Sequence, residues 1–286
     1  MQSAVPLFPE FRALRVSDRG VLDHYTRGLA PSSDLCFMSL WAWNVDGTCS
    51  LAALHDNLVI RLTDYADGVP FFTLLGANRI AETTGDVFTY LQTGGHTAVL
   101  RLIPEHAIAH LASRVFVTED RDNHDYILSV NDYEARINRR RRHDVGRFVK
   151  LYGAAQTGPV DLNHEKDAVL TLASQQRNDR EYAALARLLA HPDHRCLATG
   201  LRVKDALAAY AIYELLDEEY AVCHFAHADK DVHHAGRMVE RAVIRELREH
   251  NIRYYNLEQD LGLPGLRQAK LQQGPVTFLK KYTVQQ

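Results

Sequence analysis

Leu257-Glu258-Gln259-Asp260-Leu261-Gly262-Leu263-Pro264-Gly265-Leu266-Arg267-Gln268-Ala269-Lys270 sets two acids, a turn and two bases directly behind the short apolar run Ile252 to Leu257. If that run is a strand, Glu258 and Asp260 point the same way as it ends, because successive side chains alternate. If the stretch after Pro264 is helical, Arg267 and Lys270 share a face, being three residues apart. A strand end followed by a helix start is where open α/β sheets place ligands. The competing reading is an ion-paired surface turn, since clustered charges are mostly solvated.

Working outward, the C-terminal half reads most clearly. Glu165 to Leu189 carries two helical patterns, and Arg195 to Leu201, Ala206 to Leu215 and Tyr220 to Ala228 read as three antiparallel strands. The second is almost continuously apolar, which predicts a central strand. Gly236 opens a helix through His250, with Met238, Val239, Ala242, Val243 and Leu247 on one face. Its first N–H groups are a candidate phosphate site at Gly236, against the simpler reading of a plain helix start. Val276 to Val284 reads as one last strand carrying Lys280 and Lys281.

The N-terminal half mixes short elements. Asp18 to Thr26 reads as a helix capped by Ser17, Leu58 to Leu62 and Phe71 to Leu75 as strands, Asp86 to Thr93 as a helix, Ala98 to Ile103 as a buried strand, and Glu105 to Ala112 as a helix. Thr118 to Asp125 is polar and acid-rich and marks a boundary, with Tyr126 to Val130 a strand beyond it and Asp132 a cap for the helix that carries the arginine run. This divides the chain into residues 1–124 and 125–286. Trp41 and Trp43 read as core anchors rather than substrate platforms.

Charge is unevenly spread. The 286 residues carry a net charge of −3, yet Glu134 to Lys150 holds seven bases against two acids and Arg253 to the C-terminus five against two. Two basic islands on an acidic body attract anions whatever the total. Four consecutive arginines, Arg139 to Arg142, cover every face of a helix and repel one another unless an anion is near. The competing reading is a solvated helix face. Arginine forks match carboxylate and phosphate geometry.

The four cysteines, Cys36, Cys49, Cys196 and Cys223, lack metal-type spacing, and His227, His233 and His234 read as loop histidines near a strand end rather than ligands. No metal and no cofactor is expected. No apolar run approaches the roughly 20 residues of a membrane span, and the N-terminus has no signal pattern, so a cytoplasmic protein with reduced thiols is expected.

Three blocks carry a family resemblance: Ser33-Asp34-Leu35-Cys36-Phe37-Met38-Ser39-Leu40-Trp41-Ala42-Trp43; Asp125-Tyr126-Ile127 with Asp132-Tyr133 and Arg139 through Phe148; and Asn256 through Lys270, the most specific. They resemble the C-terminal catalytic domain of the phosphatidylglycerol lysyltransferase (lysyl-phosphatidylglycerol synthase) family, departing at Ala135 and His143, where that family often has Gly and Asn. The resemblance implies an α/β (α+β) fold of two tandem GNAT-like acyltransferase lobes, each a mixed, mostly antiparallel sheet flanked by helices, as in Fem-type transferases. It also implies transfer of an aminoacyl group from aminoacyl-tRNA to a hydroxyl or amine acceptor, a small molecule or a lipid headgroup.

Such a transfer needs the acceptor deprotonated, the oxyanion stabilised and the nucleotide anchored. Glu258 or Asp260 are the candidates to orient and deprotonate the acceptor or to hold the donor's α-ammonium. Lys270 and Arg267 are candidates for the oxyanion or the terminal phosphates. Arg139, Arg142 and Arg147 would hold the acceptor stem or an acidic acceptor, and Lys280 and Lys281 would add phosphate contacts. No Ser/His/Asp or Cys/His set is evident, which favours direct attack over an acyl-enzyme. Two alternatives stay open: an acyl-CoA-dependent N-acyltransferase with its phosphates at Gly236, and a catalytically silent binding module on the same fold.

Overall fold

The computed structural model describes residues 5–64, 68–137, 139–154, 156–191 and 194–286, and the side chains of residues 139–141 lie outside it. The chain divides into two units, residues up to His124 together with Leu279–Gln286, and Asp125–Phe278.

The first unit contains strands β1 (Arg12–Ala13), β2 (Ser50–Leu54), β3 (Asn57–Thr63), β4 (Pro70–Leu75), β5 (Val99–Pro104) and β6 (Phe116–Glu119), and helices α1 (Arg19–Thr26), α2 (Phe37–Trp43), α3 (Ile80–Thr93) and α4 (Glu105–Ile108). The second contains β7 (Asp125–Ser129), β8 (Gln156–Pro159), β9 (Leu197–Val203), β10 (Ala206–Leu215), β11 (Tyr220–Ala228), β12 (Tyr254–Asn256) and β13 (Thr277–Leu279). Its helices are α5 (Tyr133–Arg136), α6 (Arg139–Tyr152), α7 (Lys166–Ser174), α8 (Asp179–Leu189), α9 (Ala235–Glu249) and α10 (Pro264–Leu271). The last strand, β14 (Lys281–Gln285), returns to the first unit.

Each unit is built on one seven-stranded sheet, in the orders β1-β2-β3-β4-β5-β14-β6 and β13-β7-β12-β11-β10-β9-β8. Both are mixed and mostly antiparallel, with a parallel pair at β4/β5 in one and at β11/β12 in the other. Two lobes, each a mixed, mostly antiparallel sheet flanked by helices, are the architecture that the family resemblance implies. The run from Val276 to Val284, expected as a single strand, is two strands in two sheets: β13 ends at Leu279, and β14 pairs antiparallel with both β5 and β6.

Packing follows the periodicities. In the second unit Met238, Val239, Val243, Ile244 and Leu247 of α9 bury against Leu201, Ala209, Ala211, Tyr213, Ala221 and Tyr255 of the sheet. Each such aliphatic side chain contributes about 1.5–3 kcal/mol on burial. In the first unit Val87, Phe88 and Leu91 of α3 join Val59, Leu74, Leu100 and Ile103, and Val284 of β14 completes that cluster at 0 % exposure. The arginine-bearing helix does not start at Asp132. Asp132 precedes the short α5, Ile137 is extended at φ −62°, ψ 138°, and α6 starts afresh at Arg139.

Two irregularities position the site in the second unit. β11 and β12 pair in parallel only from Tyr220↔Tyr254 to Val222↔Asn256. Beyond Asn256 the chain leaves β12 into the loop that leads to α10. In the neighbouring ladder, Ile212 pairs with Phe225 but Tyr213 with Cys223, which leaves His224 as the extra residue of a β-bulge. A bulge re-aims a side chain out of the regular pleat.

Candidate active site

The loop after β12 is held by its own charges. Asn256, fully buried, donates to Asp125 Oδ2 at 3.0 Å and accepts from the Glu258 N–H at 2.7 Å. Glu258 takes a positive φ of 61°, and its carbonyl accepts from the Tyr126 N–H, which docks the loop on β7. Asp260 is 0 % exposed and uses both oxygens: Oδ2 accepts from Tyr126 Oη at 2.5 Å and Arg267 Nε at 2.9 Å, Oδ1 from Arg267 Nη2 and the Gly262 N–H. Burial acts to raise the Asp260 pKa, but these bonds outweigh it and hold the carboxyl at about 2. Pro264 sits in the first turn of α10, where its missing N–H costs nothing.

Lys270 reaches back along α10. Its ammonium donates to the carbonyls of Leu257 and Gln259, the latter at 2.7 Å, and lies 6.0 Å from the Tyr126 ring centroid. Burial lowers its pKa, with the Glu258 carboxylate acting in the opposite direction. The ion-paired turn therefore describes Asp260 and Arg267 well, but it leaves Glu258 outside the lock. Glu258 Oε1 instead lies 3.7 Å from Nδ1 of the bulged His224, whose Nε2 is 3.3 Å from Glu214 Oε2. Burial would lower the His224 pKa, yet the two glutamates overcome it and raise it to about 9. The ring is an imidazolium at neutral pH, bridging two carboxylates.

The sequence model of the family described as "Phosphatidylglycerol lysyltransferase, C-terminal" matches residues 26–285. This chain belongs to that family. Solved structures share its fold at low identity. A conserved protein of unknown function from Bacteroides thetaiotaomicron is 23 % identical with a TM-score of 0.80, over 96 % of this chain and 98 % of that one. L-PGS from Bacillus licheniformis is 9 % identical with a TM-score of 0.64, over 99 % and 94 %. FemX is 11 % identical with a TM-score of 0.60, over 96 % of both chains. No curated protein sequence matches the chain.

In this member of the phosphatidylglycerol lysyltransferase C-terminal family, Glu258, Asp260, Arg267 and Lys270 converge, as the spacing predicts. Asp260, expected with Glu258 to orient or deprotonate the acceptor or to hold the donor's α-ammonium, gives both oxygens to Tyr126, Arg267 and the Gly262 N–H, and its carboxyl is held at about 2. The arginines diverge in role. Arg142 donates to the Glu134 carbonyl at 3.3 Å, and Arg147 is 61 % exposed with Asp144 at 3.6 Å. The side chain of Arg139 lies outside the described residues.

Gly236 is the second residue of α9, and a Cβ there would meet only Ala228 at an ordinary 3.7 Å, so no close approach requires glycine. The α9 N-terminus has an acid beside it: Asp144 is buried, 3.5 Å from His234, the residue preceding the helix. Lys280 and Lys281 belong to the first unit. Lys281 is 0 % exposed and ion-paired with Asp34, and Lys280 lies 3.7 Å from Glu119, so a phosphate contact by Lys281 is not open to it.

Sequence reasoning missed Tyr126 as a ligand of Asp260 and the Glu214–His224–Glu258 bridge. The bridge depends on a bulge that alternation alone does not reveal. Cys196 brings its sulfur into the same cluster, with ligand-type atoms of Cys196, Glu214 and His224 all within 4.8 Å. His227, expected in a loop, is a strand residue with a buried side chain. The Cys223 thiol is pushed up to about 11 by burial, which disfavours it as a nucleophile. No described helix is long and apolar enough to cross a membrane.

Proposed function

We propose that the chain transfers an aminoacyl group from aminoacyl-tRNA to a hydroxyl or amine acceptor, by direct attack. A lipid headgroup is an acceptor in keeping with the family. The observation that carries this reading is the contrast between two helices of the second unit. α6 exposes Arg142, Arg147 and Lys150 to solvent, a surface suited to a polyanion. The α9 N-terminus, where a coenzyme diphosphate would be expected to bind, instead has the buried Asp144 carboxylate beside it. A diphosphate placed there meets a like charge in a low-dielectric setting, which counts against the acyl-CoA alternative.

In this mechanism the acceptor oxygen or nitrogen attacks the ester carbonyl carbon. The bond from that carbon to the terminal ribose oxygen breaks, and the acceptor's proton ends on the ribose oxygen. Glu258, the loop carboxylate outside the Asp260–Arg267 lock, relays that proton. Lys270 is the cation for the oxyanion, and Asp260 and Arg267 keep the loop in shape.

Filter binding with mixed aminoacyl-tRNA across a salt series tests the reading, alongside thermal shifts with coenzyme A and acetyl-CoA. Salt-sensitive tRNA binding is expected, with Arg142→Ala and Arg147→Ala each reducing the salt slope by about 1. A shift with acetyl-CoA and no tRNA binding would sink it in favour of acyl-CoA chemistry. Silence from both would leave the binding module.

A further inference from the structure

Tyr210 in β10 and His227 in β11 are cross-strand partners, with ring centroids 5.4 Å apart. Tyr210 is 1 % exposed and the His227 side chain 4 %. The Tyr210 hydroxyl and His227 Nε2 are both buried, and neither has a hydrogen-bond partner. Buried polar groups are nearly always paired, so two orphans on facing residues mark a place where a polar occupant belongs. The third wall is Glu181 of α8. Its Oε2 accepts from Asn178 at 3.1 Å, while Oε1 lies 3.4 Å from His227 Nε2 without the geometry of a hydrogen bond.

The charge at this place is unbalanced. Burial raises the Glu181 pKa and the nearby Glu258 carboxylate adds to the rise. Glu258 also faces His224, which is shared with Glu214. Two carboxylates thus flank the His224 imidazolium, Glu181 adds a third charge that meets Glu258 rather than His224, and the Lys270 ammonium is bonded to loop carbonyls. His227 adds no positive charge, because burial lowers its pKa to about 4. The three walls therefore offer a carboxylate oxygen, a phenol oxygen and an imidazole nitrogen, all able to accept. An ammonium has three N–H donors and no acceptor, one donor for each wall. A phosphate or carboxylate would be repelled by Glu181.

We propose that Tyr210, His227 and Glu181 form a binding site for a protonated primary amine, reached from the side on which Glu181 is 29 % exposed. The assignment deepens the aminoacyl-transfer reading and rests on it for the identity of the amine. An aminoacyl donor carries an ammonium next to its carbonyl, and some carry a second on the side chain. The shared chemistry is the ammonium, and the two sources separate by experiment.

The test measures thermal shift and calorimetric affinity of the full chain for alaninamide, Nα-acetyl-lysinamide and N-acetylalaninamide. Binding of alaninamide assigns the site to the α-ammonium, and binding of Nα-acetyl-lysinamide to a side-chain ammonium. Either supports the proposal if Glu181→Gln weakens it by about tenfold or more, the scale of a lost charge-assisted bond. Tyr210→Phe should weaken binding several-fold yet leave the unliganded Tm equal or higher, because it removes an orphan hydroxyl. A hydroxyl with a purely structural partner would lower Tm on removal. Equal binding of N-acetylalaninamide, no amine binding, or amine binding indifferent to Glu181→Gln overturns the site. Transfer from aminoacyl-tRNA with unchanged KM in Glu181→Gln also overturns it while sparing the proposed function. Glu181-dependent amine binding without any transfer upholds the site and sinks that function.

Discussion

The Arg267 guanidinium meets the Asp260 carboxylate at two points, Nε to Oδ2 at 2.9 Å and Nη2 to Oδ1 at 2.8 Å. This fork closes the loop between β12 and α10 on itself. Asp260→Asn removes the charge and leaves Arg267 facing a neutral amide, and should cost about 3 kcal/mol in urea unfolding. The folded-state pKa is depressed, so the contribution is fully present above the ordinary carboxylate value. It is lost as pH falls from about 4 to about 2. The variant should lack that acid limb; an unchanged limb would mean the fork contributes nothing.

The imidazolium of His224 works in the opposite window. Its folded pKa of about 9 lies above the ordinary imidazole value of 6.5. The Glu214 and Glu258 contacts thus stabilise fully below about pH 6.5, and that gain disappears as pH rises through 9. Denaturant midpoints between pH 6 and 10 should decline for the native chain and stay flatter for His224→Asn. A parallel decline in both would show that some other group titrates there.

Lys270→Ala should reduce transfer by about 100-fold or more, the scale of a lost oxyanion donor, while donor affinity changes little. Single-turnover rates at saturating donor separate the two effects. A loss seen wholly in affinity would make Lys270 a binding residue instead.

Lys281→Met tests the corrected placement of the last strand. Removing a fully buried ammonium from Asp34 should destabilise the first unit by about 3 kcal/mol, with salt-dependent polyanion binding left as it was. Weaker polyanion binding at unchanged stability would restore Lys281 as a phosphate ligand.

How much of this was legible depended on whether the signal was local. The helix beginning near Gly236 and the strand Ala206 to Leu215 were readable because apolar spacing alone defines them. The acid-turn-base stretch was readable because its charges lie within one strand end and one helix. Tyr210 was hidden inside an almost continuous apolar strand, and only the ladder register shows that it faces His227. Lys281 reads as a surface cation in sequence, and only pairing of β14 between β5 and β6 buries it. The break at Ile137 has no proline or glycine to announce it.

The position of β14 also carries a consequence for biosynthesis. The sheet that begins with Arg12 lacks an interior strand until residues 281–285 have left the ribosome. Among the described residues β6 has only that strand as a neighbour, so an emerging first half holds an open seam between β5 and β6 while the second half is being made. A fragment cut after His124 would carry the same seam permanently, and a trimmed tail would unseat the first half of the protein rather than the last.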